Sequence, residues 1–233
     1  MRLIAFTAAG ALSMLAAMPI PMSAQAVPCP APTPEALAAL GPPVRIAPTG
    51  KTAYSVDVMT AEGMAVFKAQ WRNMDAKVVE APPRPNAEPW KVSYEVQPKA
   101  GEATFSDASW PVIEAKALAD RRGGGGVYMT WFRTNVTMPA KIGAFDTAGS
   151  KAVLHITVDD YAEVWVNGLF PRAICTATPN AIAGFNLPNR VVLSDAVKPG
   201  ETVQVAILAI NGPISMAPLN GSYFREARIE FYR

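Results

Sequence analysis

Alternating apolar and polar residues in the run KAVLHITVDDYAEVWVNG, residues 151–168, constrain the fold more than any other feature of the chain. Alternation with a period of two is typical of a β-strand, because successive side chains point to opposite faces of the sheet. Here it places Leu154 and Val158 on one face of a first strand. The Asn167-Gly168 pair that ends the run favours a type I′ turn, since both residue types tolerate positive φ.

The same signature recurs along the rest of the chain. In residues 90–98, WKVSYEVQP, Tyr94 and Val96 alternate with polar neighbours and predict a half-buried strand. Residues 126–139 predict one long strand, and residues 202–210, TVQVAILAI, are apolar on both faces, as in a central strand. Many strands, regular turn signals and almost no helical periodicity predict an all-β antiparallel sandwich that closes as a jelly roll.

The composition narrows the class of protein. The chain has 233 residues and a formal net charge of +2, with no concentrated basic patch that would bind phosphates, so no nucleic-acid partner is expected. Half of the residues are hydrophobic, which provides a substantial core, while 22 prolines and a charged fraction of 17% favour strands and loops over long surface helices.

Residues 1–26 resemble a cleaved signal peptide, with one basic residue, an apolar stretch and a final Ala24-Gln25-Ala26 cleavage pattern. The alternative is a membrane anchor, but two prolines interrupt the apolar stretch. No later segment approaches the roughly 20 apolar residues of a transmembrane helix. We therefore expect a periplasmic or secreted protein that has no membrane association after signal cleavage.

Export changes the interpretation of Cys29 and Cys175, which would reach an oxidising compartment. A disulfide between them would tie the N-terminal tail to the main body and contribute up to about 4–5 kcal/mol by loop-closure entropy. Two unpaired thiols are the alternative. A zinc site is not expected, because two isolated cysteines and the single His155 lack ligand spacing.

The distribution of proline divides the chain. Residues 27–89 predict a Pro-rich N-terminal extension with short strands, including the β-prone stretches YSVDVM and MAVFKAQW, and a second Pro-rich break falls at residues 81–89. Residues 90–233 carry the regular alternation and predict the sandwich itself. Whether the extension packs on the sandwich is left open.

Four motifs carry a family resemblance: FSDASWPVIE (105–114), GVYMTWFRTNVTMP (126–139), the 151–168 run, and VKPGETVQVAILAI (197–210). In this order they resemble the sugar-binding jelly-roll domain of glycoside hydrolase family 2, within the galactose-binding-like superfamily. The resemblance covers about residues 90–233. It implies a binding module without catalytic machinery, because the family's catalytic carboxylates lie in a separate TIM barrel for which this chain has no room.

A second resemblance rests on GFNLPNRVVL (184–193), INGPIS (210–215) and PLNGSYFREARIEFY (218–232). These segments are similar to modules that accompany gluconolactonase-type β-propellers in exported bacterial proteins. No propeller is present in this chain, so this resemblance also implies a binding or accessory role.

The acids Asp159, Asp160 and Glu163 are the first candidates for chemistry. As turn residues, Asp159 and Asp160 would bind backbone groups at the bend between two strands. As ligands, the carboxylates would bind a sugar or a hard cation. We expect the chain to bind no cofactor, with calcium as the one ion that remains possible. As catalysts, two of the carboxylates would have to converge about 5–10 Å apart across a cleft.

A second group lies on the strand of residues 126–139, where Trp131, Arg133 and Asn135 would share one face. An aromatic ring beside a guanidinium and an amide suits a sugar, since the ring stacks on the apolar face while the donors meet hydroxyls. The alternative is packing, with Arg133 paired to a buried acid. Trp165 is equally ambiguous, and Val164 and Val166 beside it are expected to face the core.

Amides in predicted loops complete the candidate ligand-binding residues. Asn186 and Asn211 would hydrogen-bond a glycan at the rim of the sandwich, or else satisfy turn backbone. His155 is expected to point outward together with Thr157. The run Arg121-Arg122 followed by four glycines predicts a loop beside the sheet and lacks the pattern of a phosphate loop.

Three functions remain open on the sequence alone. The first is an exported, non-catalytic carbohydrate-binding or accessory module whose partner is a sugar or polysaccharide. The second is a small hydrolase, lyase or lactonase that acts on a sugar derivative through Asp159, Asp160 or Glu163. The third is a structural sandwich that docks a partner protein, such as an enzyme, through a broad apolar face.

Overall fold

A computed structural model describes residue 45 and residues 47–81, 93–123, 126–170, 186–212 and 221–233. These residues belong to one compact unit. The predicted signal peptide and the predicted Cys29–Cys175 link lie outside the described residues and stay predictions.

The described residues form mostly strands. These are β1 (Tyr54–Asp57), β2 (Trp71–Asp75), β3 (Lys77–Ala81), β4 (Ser93–Gln97), β5 (Val112–Ile113), β6 (Tyr128–Thr137), β7 (Lys141–Ile142), β8 (Phe145–Asp146), β9 (Lys151–Asp159), β10 (Tyr161–Val166), β11 (Asn189–Ser194), β12 (Thr202–Asn211) and β13 (Tyr223–Tyr232). A short helix, α1 (Ala61–Val66), and a 3-10 helix (Ala115–Ala119) complete the elements.

Two antiparallel sheets face each other. The four-stranded sheet has the order β1-β13-β9-β11, and the five-stranded sheet has the order β10-β12-β6-β2-β5. Strands β3 and β4 form a separate two-stranded ribbon, as do β7 and β8. The prediction of an all-β antiparallel sandwich is confirmed, and β12 lies inside its sheet, as its two apolar faces predicted.

The core lies between the two sheets. Leu154, Ile156 and Val158 of β9 are buried there, as the alternation predicted. Aromatic rings join the layers: the ring centroid of Phe224 on β13 lies 4.7 Å from that of Phe132 on β6. Each such apolar side chain contributes roughly 1.5–3 kcal/mol when it is fully buried. Burial on this face therefore fixes the register of both sheets.

The chain passes from one sheet to the other at Asp160, because β9 belongs to the four-stranded sheet and β10 to the five-stranded sheet. After β10, Asn167 and Gly168 have φ of 50° and 76°. Two hydrogen bonds close the turn: the Val166 N–H donates to the Leu169 carbonyl, and the Leu169 N–H donates to the Val166 carbonyl. Each N···O distance is 2.9 Å. Positive φ at both central residues of a two-residue turn confirms the predicted type I′ geometry.

The stretch MAVFKAQW, which the sequence suggested as β-prone, is helical at its start, so this prediction was wrong. Thr60 caps α1 by accepting a hydrogen bond from the Gly63 N–H at 3.0 Å. Met64 and Phe67, three residues apart, then face the core together. Such spacing places two side chains on one side of a helix, and the cap favours helix over strand.

Residues 54–75 contribute a strand to each sheet, although the sequence analysis assigned them to an N-terminal extension. β1 pairs with β13 through Tyr54 and Phe231, and β2 lies between β5 and β6. This differs from the predicted division at residue 90. The strands were hard to assign from sequence because β1 has only four residues and one buried side chain, Val56.

Candidate functional site

The outer face of the five-stranded sheet carries two tryptophans. The strand register places Glu163, Leu208 and Trp131 in one row across β10, β12 and β6. The next row contains Trp165, Ala206 and Arg133. Val164 and Val166 face the core, as predicted, and this orientation turns the odd-numbered side chains of β10 to the outside.

Part of this outer face is covered by the segment of residues 98–110, which follows β4. Ala100 and Trp110 of the segment are buried against Trp131, Ala206 and Leu208 in a second apolar cluster. The covering segment therefore forms a small second core with the outer face of the sheet, separate from the main core between the two sheets.

Arg133 binds the covering segment to the sheet. Its Nε lies 3.1 Å from Oδ2 of Asp107, and its two Nη atoms donate to the carbonyl oxygens of Ala100 and Phe105. The side chain is only 2% exposed. These contacts match the alternative in which Arg133 pairs with an acid and packs, and they occupy the donors that a sugar would need.

An open cavity of about 350 Å³ lies between the outer face, β4 and the start of the covering segment. Its aromatic lining consists of Tyr94, Trp131 and Trp165. Tyr94 is 67% exposed, so its ring is free of protein cover over most of its area. Trp131 is buried, and its indole N–H has no acceptor among the described residues. The cavity therefore offers one open ring, that of Tyr94.

The charged groups of the cavity are mostly acidic. Among the described residues that line it, Glu95, Glu102 and Glu163 are acids and Lys99 is the one base. Nζ of Lys99 lies 3.0 Å from Oε2 of Glu95, so the lysine neutralises a carboxylate next to it. Acids therefore outnumber bases by three to one among the described residues that line the cavity.

Asp159 and Asp160 lie elsewhere, at the bend between the two sheets. Asp159 is fully buried, and its Oδ1 accepts hydrogen bonds from Nη2 and Nε of Arg225 at 2.5 and 3.0 Å. Oδ2 of Asp160 accepts from the Gly212 N–H at 3.1 Å. Burial and the Asp159 charge raise the pKa of Asp160, while Gly212 and Arg225 oppose the change. Each carboxylate thus has a structural partner.

The predicted asparagines lie near this bend or bind backbone. The Asn186 N–H donates to the Asp160 carbonyl at 2.9 Å, and Asn186 adopts a φ of 54°. Nδ2 of Asn211 donates to the Gly126 carbonyl at 3.0 Å. The predicted ligand residues therefore separate into two groups: Trp131 and Glu163 line the cavity, while Asp159, Asp160 and Asn186 meet at the bend.

His155 lies on the outer face of the four-stranded sheet, opposite the core, as predicted. It is nevertheless buried, because Nε2 contacts Oε1 of Glu226 at 3.0 Å and Arg228 covers the ring. Burial would raise the pKa of Glu226, but hydrogen bonds from Thr157, His155 and Arg228 outweigh it and lower the pKa to about 2. This face is a network of ion pairs.

The described residues contain neither a metal-binding cluster nor a membrane-spanning helix. In the ranges that the structure describes, no three His, Cys, Asp or Glu side chains come together to hold a metal ion. None of the described helices has the length and apolar character needed to cross a bilayer.

Part of the cavity was not predicted from the sequence. Tyr94 was expected to be half-buried by its alternation, but β4 pairs only with β3 and leaves the ring exposed. Lys99 and Glu102 carried no signal of their own, since they lie in a turn region after β4. For Trp165 a signal existed, because its neighbours Val164 and Val166 were expected to face the core, which turns Trp165 to the other side of the sheet.

An antiparallel β-sandwich with an aromatic, acidic cavity on its outer face is the class of structure that these observations define. No family model matches the chain, and no curated protein matches it. Several solved structures are similar to the chain. A β-glucuronidase from glycoside hydrolase family 2 is 16% identical, with a TM-score of 0.40 over 71% of this chain and 18% of that one.

Two further structures are similar. A β-glycosidase from Bacteroides vulgatus is 12% identical, with a TM-score of 0.43 over 77% of this chain and 20% of that one. A β-glucuronidase from Faecalibacterium prausnitzii is 14% identical, with a TM-score of 0.36 over 81% and 33%. This chain spans only 18% to 33% of the length of these three enzymes.

Proposed function

We propose that the protein is an exported, non-catalytic carbohydrate-binding module, periplasmic or secreted, that binds a sugar or polysaccharide in the outer-face cavity. The observation that carries the proposal is the meeting of three aromatic side chains, Tyr94, Trp131 and Trp165, with carboxylates around one open cavity. Family resemblance on the quoted motifs agrees with this class of function.

The chemistry of a sugar fits these groups. The C–H face of a pyranose is apolar and stacks on an aromatic ring, while its hydroxyls need acceptors and donors at the edge. The exposed ring of Tyr94 supplies the stacking surface, and the carboxylate of Glu163 is an acceptor in the same cavity. A volume of about 350 Å³ falls in the range of small-molecule sites.

The proposal assigns no catalytic role to Asp159 or Asp160. A hydrolase, lyase or lactonase would need their carboxylates in a cleft, whereas Arg225 and the Gly212 N–H bind them at the bend. Incubation of the protein with sugar lactones and aryl glycosides tests this directly. Turnover that disappears in Asp160→Asn would establish the enzyme and overturn the non-catalytic assignment.

Isothermal titration against a panel of neutral, acidic and amino oligosaccharides, with and without calcium, is the main test. Tyr94→Ala is the informative variant, because the ring is exposed and its loss leaves the core intact. Removal of one stacking ring is expected to weaken binding about threefold to tenfold. Tyr54→Ala, which removes a partly exposed ring from β1 in the other sheet, is the matched control.

Two results would contradict the proposal. One is the absence of heat with every saccharide, in either calcium condition. The other is an equal loss of affinity in Tyr94→Ala and Tyr54→Ala, which would show that the cavity is not the site.

A partner protein is the second candidate, favoured by the exposed apolar side chains of the β3–β4 ribbon. Val78 and Val79 of β3 are both exposed, and neither lines the cavity. Large exposed apolar patches mark docking sites, and these two side chains would contribute to one on either face of the ribbon. Chemical cross-linking of a partner enzyme that is lost in Val78→Ser but kept in Tyr94→Ala would support docking over sugar binding.

A further inference from the structure

The covering segment, residues 98–110, forms one wall of the cavity. Lys99, Gly101 and Glu102 of this segment line it. The backbone hydrogen bonds of the segment are local; the Glu102 N–H, for example, donates to the Lys99 carbonyl at 3.2 Å. In the described ranges, none of these backbone bonds joins the segment to a strand of the sheet. The segment is therefore held on the sheet by side-chain contacts.

Arg133 holds the part of the segment that borders the cavity. It donates to the carbonyl of Ala100, which lies between the lining residues Lys99 and Gly101. A second bond, to the Phe105 carbonyl at 3.1 Å, holds the chain beyond this lining stretch. The guanidinium also lies 5.3 Å from the centre of the Phe105 ring. Arg133 itself does not line the cavity, so any effect that it has on a ligand passes through the segment.

Arg72 makes similar contacts at the other end of the segment. It is the register partner of Arg133 on the neighbouring strand β2, so the two side chains share one face of the sheet. Nη1 of Arg72 donates to the carbonyls of Ala108 and Trp110. Neither of these two residues lines the cavity. The two arginines therefore bind the same segment, one beside the cavity and one away from it.

We infer that Arg133 is a positioning residue of the sugar site: it fixes the lining part of the covering segment and thereby sets the affinity for the saccharide without touching it. This inference rests on the proposed function, since it concerns the same cavity. A wall that is already ordered loses little conformational entropy when a ligand binds, so its order contributes to affinity. Residues that support a site from behind in this way hold its geometry.

The main test is a matched pair of substitutions, Arg133→Lys and Arg72→Lys. Lysine keeps the positive charge, but its single ammonium cannot make the separated contacts of a guanidinium fork. Titration calorimetry uses trimers of glucose, N-acetylglucosamine and galacturonic acid, at a temperature where circular dichroism shows both variants to be folded. For each trimer that binds the parent protein, Arg133→Lys should weaken binding about fivefold to tenfold, and Arg72→Lys less than about twofold.

Hydrogen exchange supplies a readout that a general loss of stability would not reproduce. In the ligand-free protein, the amides of residues 99–106 should exchange about threefold to tenfold faster in Arg133→Lys than in Arg72→Lys, relative to the amides of β12 in the same variant. A trimer that binds should slow the exchange of residues 99–106 in the parent protein, because the ligand contacts this wall.

A milder variant covers the case in which Arg133→Lys does not fold. Asp107→Asn leaves the two carbonyl contacts of Arg133 in place and weakens the third, which is an ion pair at 3.1 Å. It should reduce affinity about twofold to threefold and speed the exchange of residues 99–106. Asp195→Asn, the same change at an exposed ion pair with Arg45, is its control and should leave both measurements unchanged.

The remaining outcomes separate the inference from the proposed function. Parent-like affinity in Arg133→Lys, or in Asp107→Asn where that variant replaces it, together with a loss in Tyr94→Ala, would overturn the inference and keep the sugar site. Equal losses in Arg133→Lys and Arg72→Lys, without selective exchange at residues 99–106, would show general destabilisation and would also overturn it. Binding of none of the trimers or other saccharides by the parent protein would overturn both.

Discussion

The backbone of Gly101 packs directly against the indole ring of Trp165. A Cβ atom added at Gly101 would lie 2.5 Å from Cδ2 and 2.7 Å from Cε2 of the indole. Real Cβ contacts are never this short, so the ring and the covering segment would have to separate. Trp165 lines the cavity, and the absence of a side chain at Gly101 therefore shapes the candidate site.

Gly101→Ala should displace the Trp165 ring and lower the free energy of unfolding by about 1–3 kcal/mol, as expected for overpacking. Urea unfolding and the intrinsic tryptophan emission measure the two effects. Gly50→Ala is the control, because no atom lies within 4 Å of its added Cβ, and it should change stability by less than about 0.5 kcal/mol. Equal losses in the two variants would contradict the packing argument.

Arg133→Met should destabilise the protein by about 3–5 kcal/mol, because it leaves the Asp107 carboxylate and the carbonyls of Ala100 and Phe105 without their donor. Chemical denaturation gives the size of the loss. Asp107→Asn in the Arg133→Met background should recover part of it, since the unpaired charge is gone. Arg45→Met breaks an exposed pair with Asp195 and should cost no more than about 1 kcal/mol. A similar cost for the two arginines would disprove the anchoring role.

Glu226 should make the protein sensitive to acid. Its folded pKa of about 2 lies below the ordinary 4.5, so its contribution is complete above pH 4.5 and is lost as the pH falls toward 2. Glu226→Gln should therefore be less stable than the parent protein at neutral pH, with the difference closing in acid. Urea midpoints across this pH range check the prediction. A constant gap between Glu226→Gln and the parent protein across this pH range would refute the argument.

The contribution of Asp160 to stability should depend on pH in the opposite direction to that of Glu226. Its pKa is raised above 3.8 in the folded protein, chiefly by burial, so its contribution to stability is present in acid and declines as the pH rises. Asp160→Asn keeps an oxygen acceptor for the Gly212 N–H and should gain stability over the parent protein as the pH rises from acid toward neutral.

Asp195→Asn provides the matched comparison for Asp160. Hydrogen bonding from Lys151, with help from Arg45, lowers the pKa of Asp195. This variant should lose stability relative to the parent protein as the pH rises. The same trend with pH in both variants would show that the two carboxyl environments had been misassigned.

The sequence predicted the parts of the fold that depend on side-chain alternation. The β9 pattern of Leu154, Ile156 and Val158, the two apolar faces of β12 and the turn at Asn167-Gly168 all follow from local chemistry. MAVFKAQW failed because the local signal was ambiguous: a short apolar run suits either a strand or one turn of helix. The Thr60 cap decided between them.

The candidate site was less predictable because it depends on which distant segments meet. Trp131 and Glu163 were named from sequence, but nothing local showed that residues 98–110 would cover that face or that Tyr94 would stay exposed. Arg133 illustrates the difficulty. In the sequence its donors are suited to a ligand. In the structure they bind Asp107 and two carbonyl oxygens of the covering segment.

The pairing of β1 with β13 has a consequence for the order in which the protein folds. Tyr54 pairs with Phe231, so β1 cannot join its sheet until nearly the whole intervening chain has been made and folded back. Contacts of such high contact order close slowly, because the loop-closure entropy must be overcome before the pairing is gained. Until β13 arrives, β1 and β9 expose unpaired edges, and folding in this interval is most vulnerable to aggregation.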